Sequence, residues 1–149
     1  MNVSGTIDSI IGQKQRDVFS ITPDATVYDA VALMAEKNVG ALLVVEDGSL
    51  VGIISERDYT RKVMLRGKRS RETQVREIMS TNLTTVDPKQ SIDDCLRFMT
   101  EKRIRHLPVV RDGHICGVIS IGDLVKHVIS VQSATLDHLE RYISGGYTN

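Results

Sequence analysis

The sequence is short of the residues and segments that several functional classes require. It has no tryptophan and only 4% aromatic residues over 149 positions. No apolar run approaches the roughly 18 residues that a membrane-spanning helix needs. Lysine and arginine together number 19, as do aspartate and glutamate, so no net field favours DNA or an anionic membrane surface. Any anion-binding site must therefore be local.

The start of the chain and its cysteines bear on the cellular compartment. The first 15 residues lack the basic region and the apolar stretch of a secretory signal peptide, so we expect a cytoplasmic location. The two cysteines, Cys95 and Cys116, do not have CxxC spacing. In a reducing compartment they are predicted to be buried free thiols and not a disulfide.

An internal repeat is the most informative pattern in the sequence, because a repeat decides the architecture of a chain. Shifting the chain by 65 positions superimposes a second copy on the first without a gap. The matched pairs are Pro23 with Pro88, Asp29 with Asp94, Met34 with Met99, Val44 with Val109, Asp47 with Asp112, Gly52 with Gly117, Ser55 with Ser120, and Asp58 with Asp123. Two related units therefore make up most of the chain.

Each copy has the same predicted order of elements. A short β-type stretch, at 18–21 or 83–86, is stopped by a proline and followed by a helix that begins in a capping box. Two apolar runs then flank an Asp-Gly turn, which is typical of a β-hairpin. A second helix begins after Ser55 or Ser120. The fold is therefore predicted to be α/β, built from tandem βαββα repeats.

Further segments complete the predicted organisation. The divisions are an N-terminal helical segment at 1–17, the first repeat at 18–66, a linker with a short helix at 67–82, the second repeat at 83–130, and a C-terminal helix and tail at 131–149. A basic run at 66–74, from the last residue of the first repeat into the linker, carries Arg66, Lys68, Arg69 and Arg71. Such a charge run indicates a solvated segment, and the alternative of a nucleic-acid contact lacks the aromatic residues on which bases stack.

The end of each hairpin carries the pattern that points to a ligand. Ser55 and Asp58, like Ser120 and Asp123, are spaced as Ser-x-x-Asp where a strand runs into a helix N-terminus. Backbone N–H groups and the helix dipole favour a phosphate there, and a carboxylate accepts two hydrogen bonds from a vicinal diol. A ribose phosphate would satisfy all of these groups. The same spacing is also a plain helix cap, and the pattern alone leaves both interpretations open.

These features together resemble the CBS-domain pair, or Bateman module. The resemblance covers residues 18–130 and rests on the repeat order, the LPVV-x-DG run at 107–113 and the Gly-x-x-Ser-x-x-Asp ending of both hairpins. It implies two repeats packed around a pseudo-twofold axis, with two clefts that bind adenosine-containing ligands. AMP, ADP, ATP, S-adenosylmethionine and NAD(H) are the ligands that the resemblance implies.

The resemblance also implies that each cleft combines residues of both repeats. The first cleft is expected to contain Ser55, Arg57, Asp58, Thr84, Thr85, Arg105, His106 and Leu107. The second is expected to contain Ser120, Asp123, Ser20, Ile21, Gly40, Ala41 and Leu42. In each cleft the aspartate would hold the ribose hydroxyls, the serine the ribose or phosphate, and main-chain groups the adenine edge.

The two expected clefts differ in charge. The second repeat has Arg105 and His106 where the first has Gly40 and Ala41. Because a guanidinium matches the geometry of a phosphate, we expect the first cleft to prefer a nucleotide that carries phosphates. The alternative for the Arg-His pair is an exposed position at a helix end, where cations are also favourable.

Motifs for catalysis and for metal binding are missing from the sequence. The four histidines form no HExxH pattern and have no cysteine partners at ligand spacing, and there is no GxSxG, Walker A or GxGxxG motif. The expected function is a regulatory module that senses energy or redox state through an adenine nucleotide and signals to a protein partner. The alternatives are an interaction or dimerisation module without a ligand, and a nucleotide-processing enzyme.

A homodimer is also expected. The resemblance implies two pairs that meet through their helices. The candidate contact residues, chosen by pattern, are Val63, Met64, Val128, Ile129 and Tyr142.

Overall fold

The two repeats fold around separate hydrophobic cores. The computed structural model describes residues 5–14 and 18–148, without the side chains of 13, 14, 142 and 144–148. Its contacts divide the chain into two units. One unit is Arg16–Thr85, and the other joins Val86–Asn149 to the N-terminal Met1–Gln15.

The unit of the first repeat contains a three-stranded sheet with helices packed on it. In chain order its elements are β1 (Ser20–Ile21), α2 (Val27–Lys37), β2 (Ala41–Glu46), β3 (Ser49–Ser55), α3 (Glu56–Tyr59) with a π-helical continuation (Thr60–Met64), a 3-10 turn (Ser70–Glu72) and α4 (Val75–Ile78). The sheet order is β1-β2-β3, with β1 parallel and β3 antiparallel to β2. Its core is Val27, Ala30, Met34, Leu42, Val44, Ile54, Val63, Val75 and Ile78.

The unit of the second repeat repeats this plan with a two-stranded sheet. Its elements are α1 (Ile7–Lys14), α5 (Ile92–Lys102), β4 (His106–Arg111), β5 (His114–Ser120) and α6 (Ile121–Thr148). Its core contains Ile7, Ile10, Val86, Ile92, Cys95, Met99, Leu107, Val109, Ile119 and Leu124. Helices alternate with strands in both units, which confirms the predicted α/β class. The last helix continues without a break from the second repeat to Thr148.

The local signals of the sequence account for the hairpins and for the first helix of each repeat. Asp47 and Gly48 both have positive φ, of 51° and 79°, and Asp112 and Gly113 repeat this backbone geometry. Positive φ at both central residues is the requirement of a tight two-residue hairpin turn. The helices α2 and α5 each begin where a threonine or serine hydroxyl accepts a hydrogen bond from the N–H of the third residue beyond.

The predicted strand at 83–86 is wrong except for its last residue. Val86 makes one parallel bridge, to Val109, and the residues before it are not in a strand. In the first repeat the Leu43 N–H donates to the Phe19 carbonyl. The position equivalent to Leu43 is Pro108, which has no N–H to donate. The second sheet therefore lacks the bond that would continue its edge strand.

A short helical segment lies over the hairpin of each repeat, and each segment comes from outside the repeat that it covers. Thr73 and Val75 exchange backbone hydrogen bonds with Val27 and Ala25, which docks α4 on the first repeat. Gly5 and Ile7 make the equivalent bonds to Ile92 and Gln90, which docks α1 on the second repeat. The segment before repeat 1 thus completes repeat 2, and the segment between the repeats completes repeat 1.

The two docked segments carry opposite charges at one matched position, Arg76 in α4 and Asp8 in α1. Arg76 of α4 forms ion pairs with Asp24 and Glu46, and the hydrogen bond and charge of Asp24 raise the pKa of the Arg76 guanidinium. At the equivalent positions of the second unit every sign is reversed: Asp8, Lys89 and Arg111. Each segment therefore carries the charge that suits its own repeat.

We predict that alanine is tolerated less well at Gly52 than at Gly117. A Cβ on Gly52 would lie 2.7 Å from Met79 Sδ and 3.1 Å from the Ser80 carbonyl, which is backbone. A Cβ on Gly117 would meet only Ile11 Cδ1 at 2.7 Å, the movable end of a side chain. Urea titration should show that Gly52→Ala lowers the free energy of unfolding by about 1–3 kcal/mol and by more than Gly117→Ala. Equal losses would contradict the backbone contact.

The two cysteines should differ in reactivity. Both are free. Cys95 is buried as predicted, whereas the prediction that Cys116 is buried is wrong, because that residue is half-buried. Burial, with a smaller contribution from the Asp94 charge, raises the pKa of the Cys95 thiol to about 11. Because the thiolate is the reactive form, a thiol reagent at pH 8 should label Cys116 quickly and Cys95 only after denaturant is added. Mass spectrometry of the labelled peptides measures this, and rapid labelling of Cys95 in the native protein would contradict it.

Candidate functional site

The first hairpin ends in a reciprocal hydrogen-bonded cap. Ser55 is extended, with φ −126° and ψ 165°, and the helix begins at the next residue. The Asp58 N–H donates to Ser55 Oγ at 3.2 Å, and Asp58 Oδ2 accepts from the Ser55 N–H at 2.9 Å. The Ser55 hydroxyl also lies 3.1 Å from Asp58 Oδ2. One carboxylate oxygen of Asp58 is therefore committed to the cap.

The other carboxylate oxygen of Asp58 faces a cation. Lys62 Nζ lies 3.0 Å from Asp58 Oδ1 and also donates to the Ile78 carbonyl at 2.9 Å. The Asp58 side chain is 13% exposed and the Lys62 side chain 37%. Lys62 thus links the cap to α4 and places a partly exposed ammonium beside the carboxylate.

The second hairpin ends in the same cap with a different neighbour. Asp123 Oδ2 accepts from the Ser120 N–H at 2.8 Å, and the Asp123 N–H donates to Ser120 Oγ at 3.1 Å. The residue equivalent to Lys62 is His127. Its Nε2 is buried and has no hydrogen-bond partner among the described residues. The two hairpin-helix junctions, Ser55–Asp58 and Ser120–Asp123, therefore share their cap geometry and differ in the residue four positions after the aspartate.

The residues before β2 and β4 lie against the junction of their own repeat. The Glu56 N–H donates to the Gly40 carbonyl at 3.0 Å, and Ala41 pairs with Ser55 in the sheet. In the second unit the Ile121 N–H donates to the Arg105 carbonyl at 2.8 Å, and His106 pairs with Ser120. In each repeat, the last residue before the strand and the first residue of the strand therefore lie next to the start of the following helix. The combination of residues from both repeats in one cleft stays a prediction.

Two of the expected ligand residues have side chains that cannot reach a ligand. Leu42 and Leu107 are fully buried in the two cores, so only their backbone groups could contribute. Ser20 is exposed on β1 beside the half-buried Ile21. Thr84 is half-buried and Thr85 exposed, in the segment that precedes the Val86 bridge, and Arg57 is exposed in the first turn of α3.

Lys62 is a candidate site residue that the sequence analysis missed. It follows Asp58 by four positions, which is the spacing of an ion pair on a helix, so the signal was present. Its second contact, with the Ile78 carbonyl, joins residues 16 positions apart. That contact depends on where α4 docks and has no signal in the local sequence.

Caps of this kind should contribute measurably to stability. Ser55→Ala removes the acceptor for the Asp58 N–H, and we expect the free energy of unfolding to fall by about 0.5–2 kcal/mol. Ser120→Ala should cost a similar amount, because the two caps have the same geometry. Ser49→Ala, on the exposed end of β3, is the control. Chemical denaturation measures all three variants, and a Ser55→Ala value equal to the control would contradict the cap.

Known proteins share both the sequence and the fold. The CBS domain-containing protein CBSX3, mitochondrial, of Arabidopsis thaliana is 46% identical over 131 residues, which are 85% of this chain and 64% of that protein. This chain therefore spans less than two thirds of that relative. The crystal structure of the CBS domain protein NE2398 is 46% identical, with a TM-score of 0.80, and covers 84% of this chain and 98% of that one.

A more distant structure shares the fold alone. The CBS domain pair of protein MJ0100, in complex with 5-methylthioadenosine and S-adenosyl-L-methionine, has a TM-score of 0.75 at 22% identity. It covers 86% of this chain and 98% of that one.

Across the described residues, no helix combines the length and the apolar content that a bilayer crossing requires.

The family model and the structure agree on the repeats. The CBS-domain model matches residues 11–65 and 75–130, and each match contains one of the two hairpins with its serine-aspartate junction. The chain therefore belongs to the CBS-domain family, as a tandem pair of CBS domains.

Proposed function

We propose that this protein is a regulatory module that binds an adenine nucleotide at its hairpin-helix junctions and signals the bound state to a protein partner. The observation that carries the proposal is the serine-aspartate cap, which occurs with the same hydrogen bonds at the end of both hairpins. The bound ligand is of the AMP, ADP, ATP or NAD(H) type, and the module senses energy or redox state through it.

The chemistry of the junction suits a ribose. Asp58 uses Oδ2 in the cap and holds Lys62 with Oδ1. A vicinal diol donates two hydrogen bonds to a carboxylate, and hydrogen bonds to an ionised group are stronger than those between neutral groups. The Asp58 carboxylate keeps a small exposed fraction through which a diol can reach it. Adenosine ligands in the complex of MJ0100 support the same class of ligand here.

The charge of the first junction suits a phosphate. Lys62 Nζ lies 3.0 Å from Asp58 Oδ1, so its ammonium can donate a hydrogen bond to a phosphate while the carboxylate binds the ribose. Arg57 lies in the first turn of the same helix. The second junction has His127 in place of Lys62. We therefore assign the more highly phosphorylated nucleotide to the Asp58 junction.

The protein acts without a catalytic activity of its own, as a homodimer in the cytoplasm, on a partner protein that receives its signal.

The residues expected at the dimer contact differ in exposure. Val63 is buried in the core of the first repeat and is therefore excluded. Met64 and Ile129 are 62% and 57% exposed and stay candidates. The side chain of Tyr142 lies outside the described residues.

A ligand-induced shift in melting temperature tests the proposal. AMP, ADP, ATP, NAD, NADH and S-adenosylmethionine are each added to the wild type, Asp58→Asn and Asp123→Asn. At a hundredfold excess over Kd one site adds about 2.7 kcal/mol, which is several degrees for a domain of this size. We expect one adenine nucleotide to raise Tm, and the shift to disappear in one of the two variants. Asparagine is chosen because its amide oxygen can still accept the cap bond.

Asp94→Asn is the matched control for that experiment. Asp94 occupies the same place in the cap of α5, where its N–H donates to Ser91 Oγ at 3.1 Å. Hydrogen bonds from Gln90 and then Ser91 lower the pKa of its carboxyl. If the aspartates at the junctions are only caps, all three variants should keep the ligand shift. No shift with any adenosine compound would favour the interaction module, and a chemically altered nucleotide after long incubation would favour an enzyme.

A further inference from the structure

The last helix carries a stripe of exposed apolar side chains. Ile121, Leu124 and Val128 of α6 pack on the core of the second repeat. On another face, the exposed fractions of the apolar side chains lie between 46% and 61%. These residues are Val125, Ile129, Leu136, Leu139 and Ile143. An isolated helix is marginal in water and is stabilised mainly by packing an apolar face, so this stripe needs a partner.

The spacing of the stripe identifies the kind of partner. The positions are 125, 129, 132, 136, 139 and 143, and they alternate by four and three residues. This is the a and d pattern of a heptad, in which a second helix packs along the seam. The stripe is about 27 Å long at the rise of an α-helix. Its one polar member is Gln132.

We infer that α6 pairs with α6 of a second copy of this chain, in an antiparallel two-helix coiled coil. This inference rests on the homodimer proposed above and gives it a surface. In one antiparallel register every a position meets a d position of the other copy: 129 meets 139, 136 meets 132 and 143 meets 125. All five apolar residues of the stripe are then buried at once, from both copies.

Charge selects the antiparallel direction. Lys126 and Glu140 both flank the seam, at e positions, and both are exposed. Antiparallel pairing places Lys126 of one copy near Glu140 of the other, and the twofold axis makes this contact twice. A parallel pair would instead place Glu140 opposite Thr135, which is uncharged. The flanking charges therefore complement each other only in the antiparallel arrangement.

Disulfide trapping tests the direction and the register. In a Cys116→Ser background, protein with Ile129→Cys is mixed with protein that has Leu139→Cys and a mass tag, and the mixture is mildly oxidised. We expect a disulfide-linked heterodimer in the mixture and none when either protein is oxidised alone. Cross-linking of each protein with itself would show parallel helices and overturn the inference. The absence of any cross-link would overturn it as well.

Charge exchange tests the same contact by affinity. Sedimentation equilibrium should show that Lys126→Glu weakens the dimer about tenfold, because two attractive pairs become repulsive. Adding Glu140→Lys should restore the wild-type affinity. Leu136→Ser should give a folded monomer, with circular dichroism as the check on folding. A wild-type protein that is monomeric would contradict both the proposed homodimer and the proposed α6 contact. A dimer whose affinity is unchanged by Leu136→Ser would support the homodimer and contradict only the α6 contact.

Discussion

The close approach of a helical segment to a glycine in each hairpin is the constraint on which both units depend. Any side chain at Gly52 would occupy the space of Met79, so the absence of a Cβ lets α4 lie against β3. The docked α4 then presents the Ile78 carbonyl to Lys62, and Lys62 holds Asp58. A packing requirement in the strand thus determines the electrostatic surroundings of the junction at its end.

The two repeats have hairpin-helix junctions with the same cap geometry and with different side chains four positions after the aspartate. Both junctions cap a helix through a serine and an aspartate, with donor-acceptor distances that agree within a few tenths of an ångström. The residue four positions after the aspartate differs, since His127 stands where the first repeat has Lys62. Because backbone geometry sets the cap and the side chains around it can vary, the repeats keep one fold while the surroundings of their caps differ.

Much of the fold could be predicted because it depends on neighbours in sequence. The Asp-Gly turns, the serine caps and the start of each helix involve residues within four positions of one another, and their backbone requirements are specific. The edge of the second sheet could not be predicted from the apolar run at 83–86. It depends on Pro108, more than 20 positions away, which lacks the donor that its equivalent Leu43 supplies.

The sequence by itself determined that the chain has two repeats, where each hairpin turns, and that each hairpin ends in a serine-aspartate pair at a helix start. Only the tertiary structure decided which segment completes which repeat. Ile7 and Ile10 of α1 belong to the core of the second repeat, and Val75 and Ile78 of α4 to that of the first. No local pattern encodes this exchange. The physical reason is that docking depends on a glycine, a backbone bridge and matched charges, which are far apart in the chain and meet only after folding.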